Sequence, residues 1–165
     1  MSGGKLQTGP VLYRTYPIGT LGLMDDGQGL SRVFLSREGV RPDTGAGETP
    51  LTLQAAAELE EYFAGKRKSF TVPLSPRGTP FQLAVWQALR DIPYGQTRTY
   101  GEIAAAIGRP RAARAVGMAN HDNPLLIFTP CHRVVGKDGS LTGFACGLEV
   151  KRRLLELEQT GNAAL

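Results

Sequence analysis

The chain has 165 residues, of which 41% are hydrophobic and 21% are charged, and its formal net charge is +4. This composition predicts a folded core and excludes an intrinsically disordered chain. The length fits one ordinary domain or two small ones, and the slight basic excess is compatible with a polyanionic partner without identifying one.

The first third of the chain has the pattern of a small antiparallel sheet. Three short runs of apolar and β-branched residues predict strands, and glycine, proline and aspartate occupy the segments between them. The predicted strands are Tyr13–Tyr16, Thr20–Met24 and Ser31–Leu35. Because the connecting segments are short, we expect consecutive strands to pair as a meander.

A predicted helix and a linker follow the sheet. After a loop rich in glycine and proline, apolar residues recur at helical spacing from Leu53 to Phe63, and Gly65 ends the helix. The next proline- and glycine-containing segment has the composition of a domain linker. We therefore divide the chain into an N-terminal scaffold domain of residues 1–75 and a C-terminal domain of residues 76–165.

Helix signals dominate the C-terminal domain. Thr79 followed by Pro80 predicts a helix start. Thr99 and Glu102 form a capping box, which gives Glu102 a structural role rather than a catalytic one. A second short helix, at residues 112–120, follows after a glycine-containing turn, so the pair predicts a helix-turn-helix.

The helix at residues 112–120 carries small side chains around one long one, Arg114. It could be a closely packed internal helix, since alanine is the best helix former. It could also be slim enough to approach the minor groove of DNA, which is only about 6 Å wide. In that case Arg109 and Arg111 would contact phosphates. The small residues are Ala112, Ala113, Ala115, Val116, Gly117 and Ala119.

A candidate nucleophile follows an apolar run. Residues 125–129 predict a short buried strand, which Pro130 ends. Cys131, His132 and Arg133 come next. A partly exposed thiol beside an imidazole or a guanidinium favours the thiolate form that a nucleophile needs. The alternative is that Cys131 is a small buried hydrophobic residue, as free cysteines often are.

Cysteine and histidine are too sparse for a disulfide scaffold or a closed zinc site. The chain has two of each, all at or after position 121. A disulfide between Cys131 and Cys146 fits the count, but we favour free thiols. The N-terminus lacks an apolar signal core, and no segment approaches the roughly 20 apolar residues of a membrane span. We therefore expect a cytoplasmic, reduced protein with no membrane partner.

The candidate nucleophile and its neighbours resemble a known family, the O6-alkylguanine-DNA alkyltransferases, which are the methylated-DNA–protein-cysteine methyltransferases of direct DNA repair. The similarity covers residues 79–158, whereas the N-terminal half matches only in general character. It implies an α/β fold, with an RNase H-like N-terminal sheet and helix and a mostly helical, winged-helix-like C-terminal domain. The residues that carry the resemblance are Pro130-Cys131-His132-Arg133-Val134-Val135, with Asn123-Pro124 before them and Gly143-Phe144 after them.

The resemblance implies a catalytic set. Cys131 would accept the alkyl group, His132 would act on it through water, and Glu158 would orient His132. From the sequence alone, Glu158 is one of several carboxylates on a charged helix face. Tyr100 falls where the family has a tyrosine that helps to turn out the target nucleotide, and Arg114 falls where an arginine intercalates in its place.

The resemblance also implies a substrate pocket. Backbone groups of Cys131, Val134 and Ala145 would surround the guanine edge. Phe144 stands at a position that is often tyrosine, so it keeps the ring and lacks the hydroxyl. Cys146 stands where glycine is common, so we expect it to narrow the pocket and to serve packing rather than chemistry.

Two further residues are assigned supporting roles by the resemblance. Asn123 would brace the two halves of the C-terminal domain, and Arg133 would form a buried or partly buried salt bridge. No metal ligand is expected. The implied DNA-binding residues are Arg111, Ala112, Ala113, Arg114, Gly117 and Tyr100.

The implied activity is irreversible transfer of the alkyl group from O6-alkylguanine in duplex DNA to Cys131. The product is a thioether, so each molecule would act once, without cofactor or metal. The partner would be double-stranded DNA containing alkylated guanine, and the protein is expected to be a monomer. Activity on O4-alkylthymine and cooperative assembly on DNA stay open.

Three other classes compete with this interpretation. Alkyltransferase-like proteins detect alkylated bases without repairing them, but they replace the cysteine that is present here. A cysteine hydrolase with a Cys-His-acid triad would turn over repeatedly and would not need a helix-turn-helix. A transcriptional regulator would keep its function after Cys131→Ala.

Overall fold

A computed structural model describes residues 9–36, 47–142, 144 and 146–161. The fold is mixed α/β, with a three-stranded antiparallel sheet near the N-terminus and mostly helices in the C-terminal half, as the sequence predicts. Within these ranges, no helix is both long enough and apolar enough to cross a membrane.

The N-terminal sheet contains strands β1 (Leu12–Tyr16), β2 (Gly19–Asp25) and β3 (Leu30–Leu35) in sequence order. Both neighbouring pairs are antiparallel, so the predicted meander is confirmed. Helix α1 (Pro50–Phe63) packs on this sheet. It begins three residues before its predicted start, because Thr49 caps it and Pro50 occupies its first turn.

Three short helices follow, namely α2 (Pro80–Arg90), α3 (Tyr100–Ala106) and α4 (Ala113–His121). Thr79 and Thr99 cap α2 and α3 as predicted, and each is part of a capping box. The carboxylate of Glu102 accepts from the backbone N–H of Thr99 at 2.9 Å, so its structural role is confirmed. Helices α3 and α4 pack against each other.

The strand predicted at residues 125–129 is wrong, although the segment is buried as expected. Isolated bridges replace a ladder, one between Val33 and Leu125 and one between Leu126 and Thr129. The chain folds back because the Thr129 N–H donates to the Leu125 carbonyl at 2.9 Å. Ile127 has a φ of 72°, a left-handed conformation that branched side chains rarely adopt.

A parallel pair not expected from the sequence lies beside this turn. Strand β4 (Arg98–Thr99) pairs with strand β5 (Val134–Val135). Helix α5 (Leu148–Thr160) closes the fold and packs on the turn between Pro130 and β5. The start of α3 and the segment that carries Cys131 are therefore joined through their backbones.

Candidate active site

Cys131, His132 and Arg133 form one turn of 3₁₀ helix, which we call the cysteine turn. Of the two alternatives that the sequence left open for Cys131, a partly exposed thiol and a buried one, the structure shows the buried one. Cys131 is only 4% exposed, and the side chain of His132 is fully buried. Arg133 points to Glu158 rather than to the thiol, so the turn separates the nucleophile from the cation that follows it.

Glu158 on α5 gathers the other buried polar groups. His132 Nε2 lies 2.6 Å from its Oε2, and Arg133 Nε donates to its Oε1 at 2.7 Å. The Tyr62 hydroxyl of α1 donates to Oε2 at 2.6 Å. Arg133 is also held by the Ile92 carbonyl, to which Nη1 donates at 2.7 Å. The carboxylate is therefore fixed by three side chains from two different parts of the chain.

The charge on Glu158 is stable in this setting. Burial would raise the pKa of this carboxyl, but the charges and hydrogen bonds of His132 and Arg133 outweigh burial and hold the pKa well below its ordinary range. An ionised carboxylate accepts hydrogen bonds, so His132 Nε2 carries the proton and donates it. Nδ1 has no hydrogen-bond partner among the described residues. A neutral imidazole that donates through Nε2 carries its lone pair on Nδ1, so in that form it can receive a proton there.

The Cys131 thiol is protonated in the resting protein. Burial raises its pKa to about 12, and a hydrogen bond with Asn123 and the charge of Lys151 oppose this rise only in part. The Lys151 side chain, on α5, is itself fully buried, and burial lowers its pKa to about 8. Its Nζ donates to the Thr142 carbonyl at 2.8 Å. The thiol needs a base before it can act as a thiolate nucleophile.

A cavity of about 410 Å³ gives access to Cys131. Its walls come from β3 of the N-terminal sheet, from the end of α4 and from the loop before α5. Asn120, Asn123 and Cys131 line it, together with Phe144 and Cys146. The volume lies within the range of roughly 300–1,000 Å³ found for small-molecule sites. The thiol is buried, but it is not sealed in the interior.

Asn123 braces the segment before the cysteine turn. Its Oδ1 accepts from the Leu125 N–H at 2.9 Å, and its Nδ2 donates to the Thr129 carbonyl at 2.8 Å. Both bonds hold the folded-back segment closed. Asn120 adds a bond from its Nδ2 to the Cys131 carbonyl at 3.3 Å. One amide therefore fixes the turn, and a second ties the cysteine backbone to α4.

The expected DNA-binding side chains lie on the outside of α3 and α4. Arg111 and Arg114 are exposed, and no ion pair is described for either within the described ranges. Gly117 faces Tyr100, since a Cβ built on this glycine would lie 3.8 Å from the tyrosine ring. Ala112 and Ala113 are half-buried at the start of α4. The small residues therefore allow α3 to approach and leave Arg114 free to extend.

Tyr100 does not line the cavity that contains Cys131. Its hydroxyl donates to the Thr142 carbonyl at 3.2 Å, the same oxygen that Lys151 contacts. The structure thus places Tyr100 next to the loop that carries Phe144, and not next to the sulfur.

The expected pocket residues are only partly brought together. Phe144 and Cys146 line the cavity, whereas Val134 is buried in β5 and does not. Ala145 lies outside the described residues. Neither Cys131 nor Cys146 is part of a disulfide.

Two residues at the site, Tyr62 and Lys151, were not predicted from the sequence. Tyr62 lies within the segment in which apolar residues recur at helical spacing, so it looks like a core aromatic residue. Lys151 looks like one of several basic residues on a charged helix. Its position three residues before Leu154, on the apolar stripe of α5, is the signal that could have identified it.

Two family models match the chain. The ribonuclease-like domain of 6-O-methylguanine DNA methyltransferase matches residues 11–76, and the DNA binding domain of the same protein matches residues 80–160. Together they cover most of the sequence.

Similar proteins agree with these models. A methylated-DNA--protein-cysteine methyltransferase of Methanosarcina acetivorans is 51% identical over 145 residues, which are 86% of this chain and 93% of that protein. The constitutive methylated-DNA--protein-cysteine methyltransferase of Bacillus subtilis is 49% identical over 87% of this chain and 91% of its own length. A crystal structure of Mycobacterium tuberculosis OGT in complex with DNA has 47% identity and a TM-score of 0.83, over 93% of this chain and 95% of that one. The chain therefore belongs to the 6-O-methylguanine DNA methyltransferase family.

Proposed function

We propose that this protein repairs DNA directly, as a methylated-DNA–protein-cysteine methyltransferase that moves the alkyl group from O6-alkylguanine to Cys131. The observation that carries the proposal is the cavity of about 410 Å³ that reaches the sulfur of an otherwise buried cysteine. Asn120 and Asn123 supply polar groups beside the sulfur, and Phe144 supplies an aromatic surface for a planar base. Relatives that are methylated-DNA--protein-cysteine methyltransferases support the same activity.

The chemistry begins with removal of the thiol proton. His132 accepts this proton at Nδ1, in the family through a water, and Glu158 stabilises the imidazolium through Nε2. The thiolate attacks the alkyl carbon while the bond between that carbon and O6 breaks. The leaving guanine then takes up a proton, and Tyr100 would supply it once its hydroxyl turns from the Thr142 carbonyl towards the base. Because the thioether has no easy hydrolytic route back, each molecule acts once.

Delivery of the base requires that it leaves the duplex, since O6 of guanine lies inside the base stack. Helix α4 would enter the minor groove, where its small residues permit a close approach. Arg114 would fill the gap left by the extruded nucleotide, and Arg111 would contact phosphates. The M. tuberculosis relative with a solved DNA complex supports DNA as the partner.

Several finer expectations stay predictions. They are activity on O4-alkylthymine, a monomeric state with open cooperativity on DNA, a cytoplasmic location and a domain division at residues 75 and 76. None of them is needed for the transfer step.

The experiment is an endpoint titration with duplex DNA that contains O6-methylguanine in excess over the protein. We expect repaired guanine to reach one equivalent per molecule of protein and then stop, and Cys131→Ser to repair none. Continued repair beyond one equivalent would favour a hydrolase. Tight binding of the modified duplex with no repair by the unaltered protein would favour a damage-sensing protein.

A further inference from the structure

The N-terminal half contributes one side chain to the catalytic group, although the sequence offered no catalytic constellation there. Tyr62 lies in the last turn of α1 and is completely buried. Its hydroxyl donates to Glu158 Oε2 at 2.6 Å. This bond spans 96 residues of sequence and joins the helix on the N-terminal sheet to the last helix of the chain.

The bond reaches the oxygen that matters most for the reaction. Oε2 of Glu158 also takes hydrogen bonds from His132 Nε2 at 2.6 Å and from Arg133 Nη2 at 3.0 Å, whereas Oε1 is engaged by Arg133 Nε at 2.7 Å. Tyr62 and His132 therefore share one carboxylate oxygen. A donor that stabilises the charge on this oxygen weakens its attraction for a proton on the imidazole.

We propose that Tyr62 is a positioning residue that lowers the basicity of His132 through Glu158, and so sets the pH range in which Cys131 can be deprotonated. The inference rests on the proposed transfer to Cys131. It assigns to α1 a role in the reaction and not only in the scaffold.

Among the described side chains that donate to Glu158, Tyr62 is the one that can be replaced without removing a charge or the proposed base. The titratable and charged groups that face this carboxylate are Tyr62 from α1, Tyr94 after α2, and His132 and Arg133 from the cysteine turn. Tyr94 donates elsewhere, to the Leu157 carbonyl at 3.4 Å. Arg133 keeps its charge at any pH of interest and holds the carboxylate in place with two nitrogens.

Tyr62 is also fixed enough to serve as a constant donor. Its ring packs against Phe63, Phe70 and Tyr94 at centroid distances of 5.2, 5.5 and 6.2 Å. Burial raises the pKa of its hydroxyl well above the ordinary value, with the Glu158 charge acting in the same direction. The hydroxyl therefore keeps its proton throughout the neutral pH range, in which the carboxylate is ionised.

The sign of the effect follows from this arrangement. In Tyr62→Phe the Glu158 carboxylate loses one donor, so it stabilises the His132 imidazolium more strongly. The imidazolium form of His132 then persists to a higher pH. On acidification, the rate of transfer therefore begins to fall at a higher pH than in the unaltered protein. We expect the midpoint of the acid limb to move up by roughly half to one pH unit.

The test measures the single-turnover rate of methyl transfer to Cys131 against pH for the unaltered protein, Tyr62→Phe and Tyr16→Phe. Tyr16 is the matched control, because its hydroxyl bonds to the Ala56 carbonyl of α1 at 3.1 Å and does not reach Glu158. We expect an upward shift for Tyr62→Phe and none for Tyr16→Phe. Superimposed midpoints for the unaltered protein and Tyr62→Phe, or equal shifts in both variants, would overturn the inference.

Two further results distinguish a failure of this inference from a failure of the proposed function and from a variant that does not fold. If the unaltered protein transfers no methyl group to Cys131, the proposed function fails, whatever the variants do. If Tyr62→Phe does not fold, 3-fluorotyrosine placed at position 62 keeps the ring and makes the hydroxyl a stronger donor. The midpoint should then move down, and an unchanged midpoint would contradict the role of Tyr62.

Discussion

At the scale of single residues, the site combines a buried thiol with a base that is already oriented. Burial keeps Cys131 protonated, with a pKa of about 12, so an unliganded molecule presents little thiolate. His132 lies within hydrogen-bond distance of the Glu158 carboxylate through Nε2, and its Nδ1 has no hydrogen-bond partner among the described residues. Reactivity therefore depends on proton transfer within the site, and stray electrophiles in solution meet a thiol rather than a thiolate.

Replacing Lys151 is predicted to increase stability and to decrease activity. Its folded pKa of about 8 lies below the ordinary value of 10.5, so at pH 7 the buried charge destabilises the fold. This cost decreases as the pH rises above about 8. Lys151→Met should raise the free energy of unfolding at pH 7 by about 2 kcal/mol. It should also slow alkyl transfer about tenfold, because the Cys131 thiolate loses the Lys151 charge that stabilises it.

Chemical denaturation at pH 7 and the rate of reaction with free O6-benzylguanine measure the two effects. Lys137→Met is the control, since Lys137 is exposed in a loop of the same half of the chain. A Lys151→Met protein that is less stable and equally fast would contradict this account of the lysine.

The sequence predicts some residues of this site and not others. A cysteine followed by histidine marks a candidate nucleophile, and the structure places it at a cavity. Glu158 could be chosen from the carboxylates of α5 only through the family resemblance. Tyr62 could not be found at all, because its hydroxyl meets a partner 96 residues away and its neighbours in sequence say nothing about that contact.

At the scale of elements, caps and turns position the site. Thr99 starts α3 with a capping box and so fixes the first residue of that helix, Tyr100. The cysteine turn follows a segment with a left-handed Ile127, a conformation that costs about 1–3 kcal/mol and persists only where the surroundings enforce it. The Asn123 bonds to Leu125 and Thr129 provide such enforcement.

Helix α4 gives the prediction that belongs to this scale. Arg114→Ala should slow repair of O6-methylguanine in duplex DNA by at least about tenfold, because nothing offsets the few kcal/mol lost on unstacking the base. Reaction with free O6-benzylguanine should stay within about twofold, since no base has to be extruded. The measurement is the ratio of the two single-turnover rates.

The control for this ratio is Arg67→Ala, which removes an arginine that is ion-paired to Glu61 in the N-terminal part of the chain. It should change neither rate. An equal loss on duplex and free base in Arg114→Ala would remove the flipping role from this arginine.

Element types were predictable where capping residues and periodicity agree, as they do for α2 and α3. The strand predicted at residues 125–129 failed for a physical reason. An apolar run shows that a segment is buried, but it does not show how the backbone hydrogen bonds are satisfied. Here the amide of Asn123, bonds within the segment and one residue of β3, Val33, satisfy them, so no continuous ladder forms.

At the scale of the whole molecule, Glu158 links three parts of the structure. It connects α5 to the cysteine turn through His132 and Arg133, and to α1 through Tyr62. Strand β3 of the N-terminal sheet also forms part of the cavity wall. The N-terminal half therefore contributes both a wall of the site and a hydrogen bond within it.

This linkage predicts how stability depends on pH. The folded pKa of Glu158 is depressed, so its contribution is present above its ordinary pKa of about 4.3 and is lost as the pH falls through the acid range. Glu158→Gln should lower the free energy of unfolding at pH 7 by about 3–5 kcal/mol, because Arg133 is left buried and unpaired. The difference between the two proteins should shrink below about pH 4.

Equilibrium denaturation at several pH values measures this difference. Glu149→Gln is the control on the same helix, since Glu149 is exposed and pairs with Arg152 at the surface. A constant difference between Glu158→Gln and the unaltered protein from pH 7 to pH 3.5 would contradict the linkage.

The most direct measurement for the account as a whole is peptide mass mapping after reaction with a duplex that contains O6-methylguanine. It distinguishes the two thiols of the cavity, Cys131 and Cys146. The account predicts one added methyl group per molecule, carried only by the peptide that contains Cys131. A methyl group on Cys146, or repaired DNA with an unmodified protein, would contradict it.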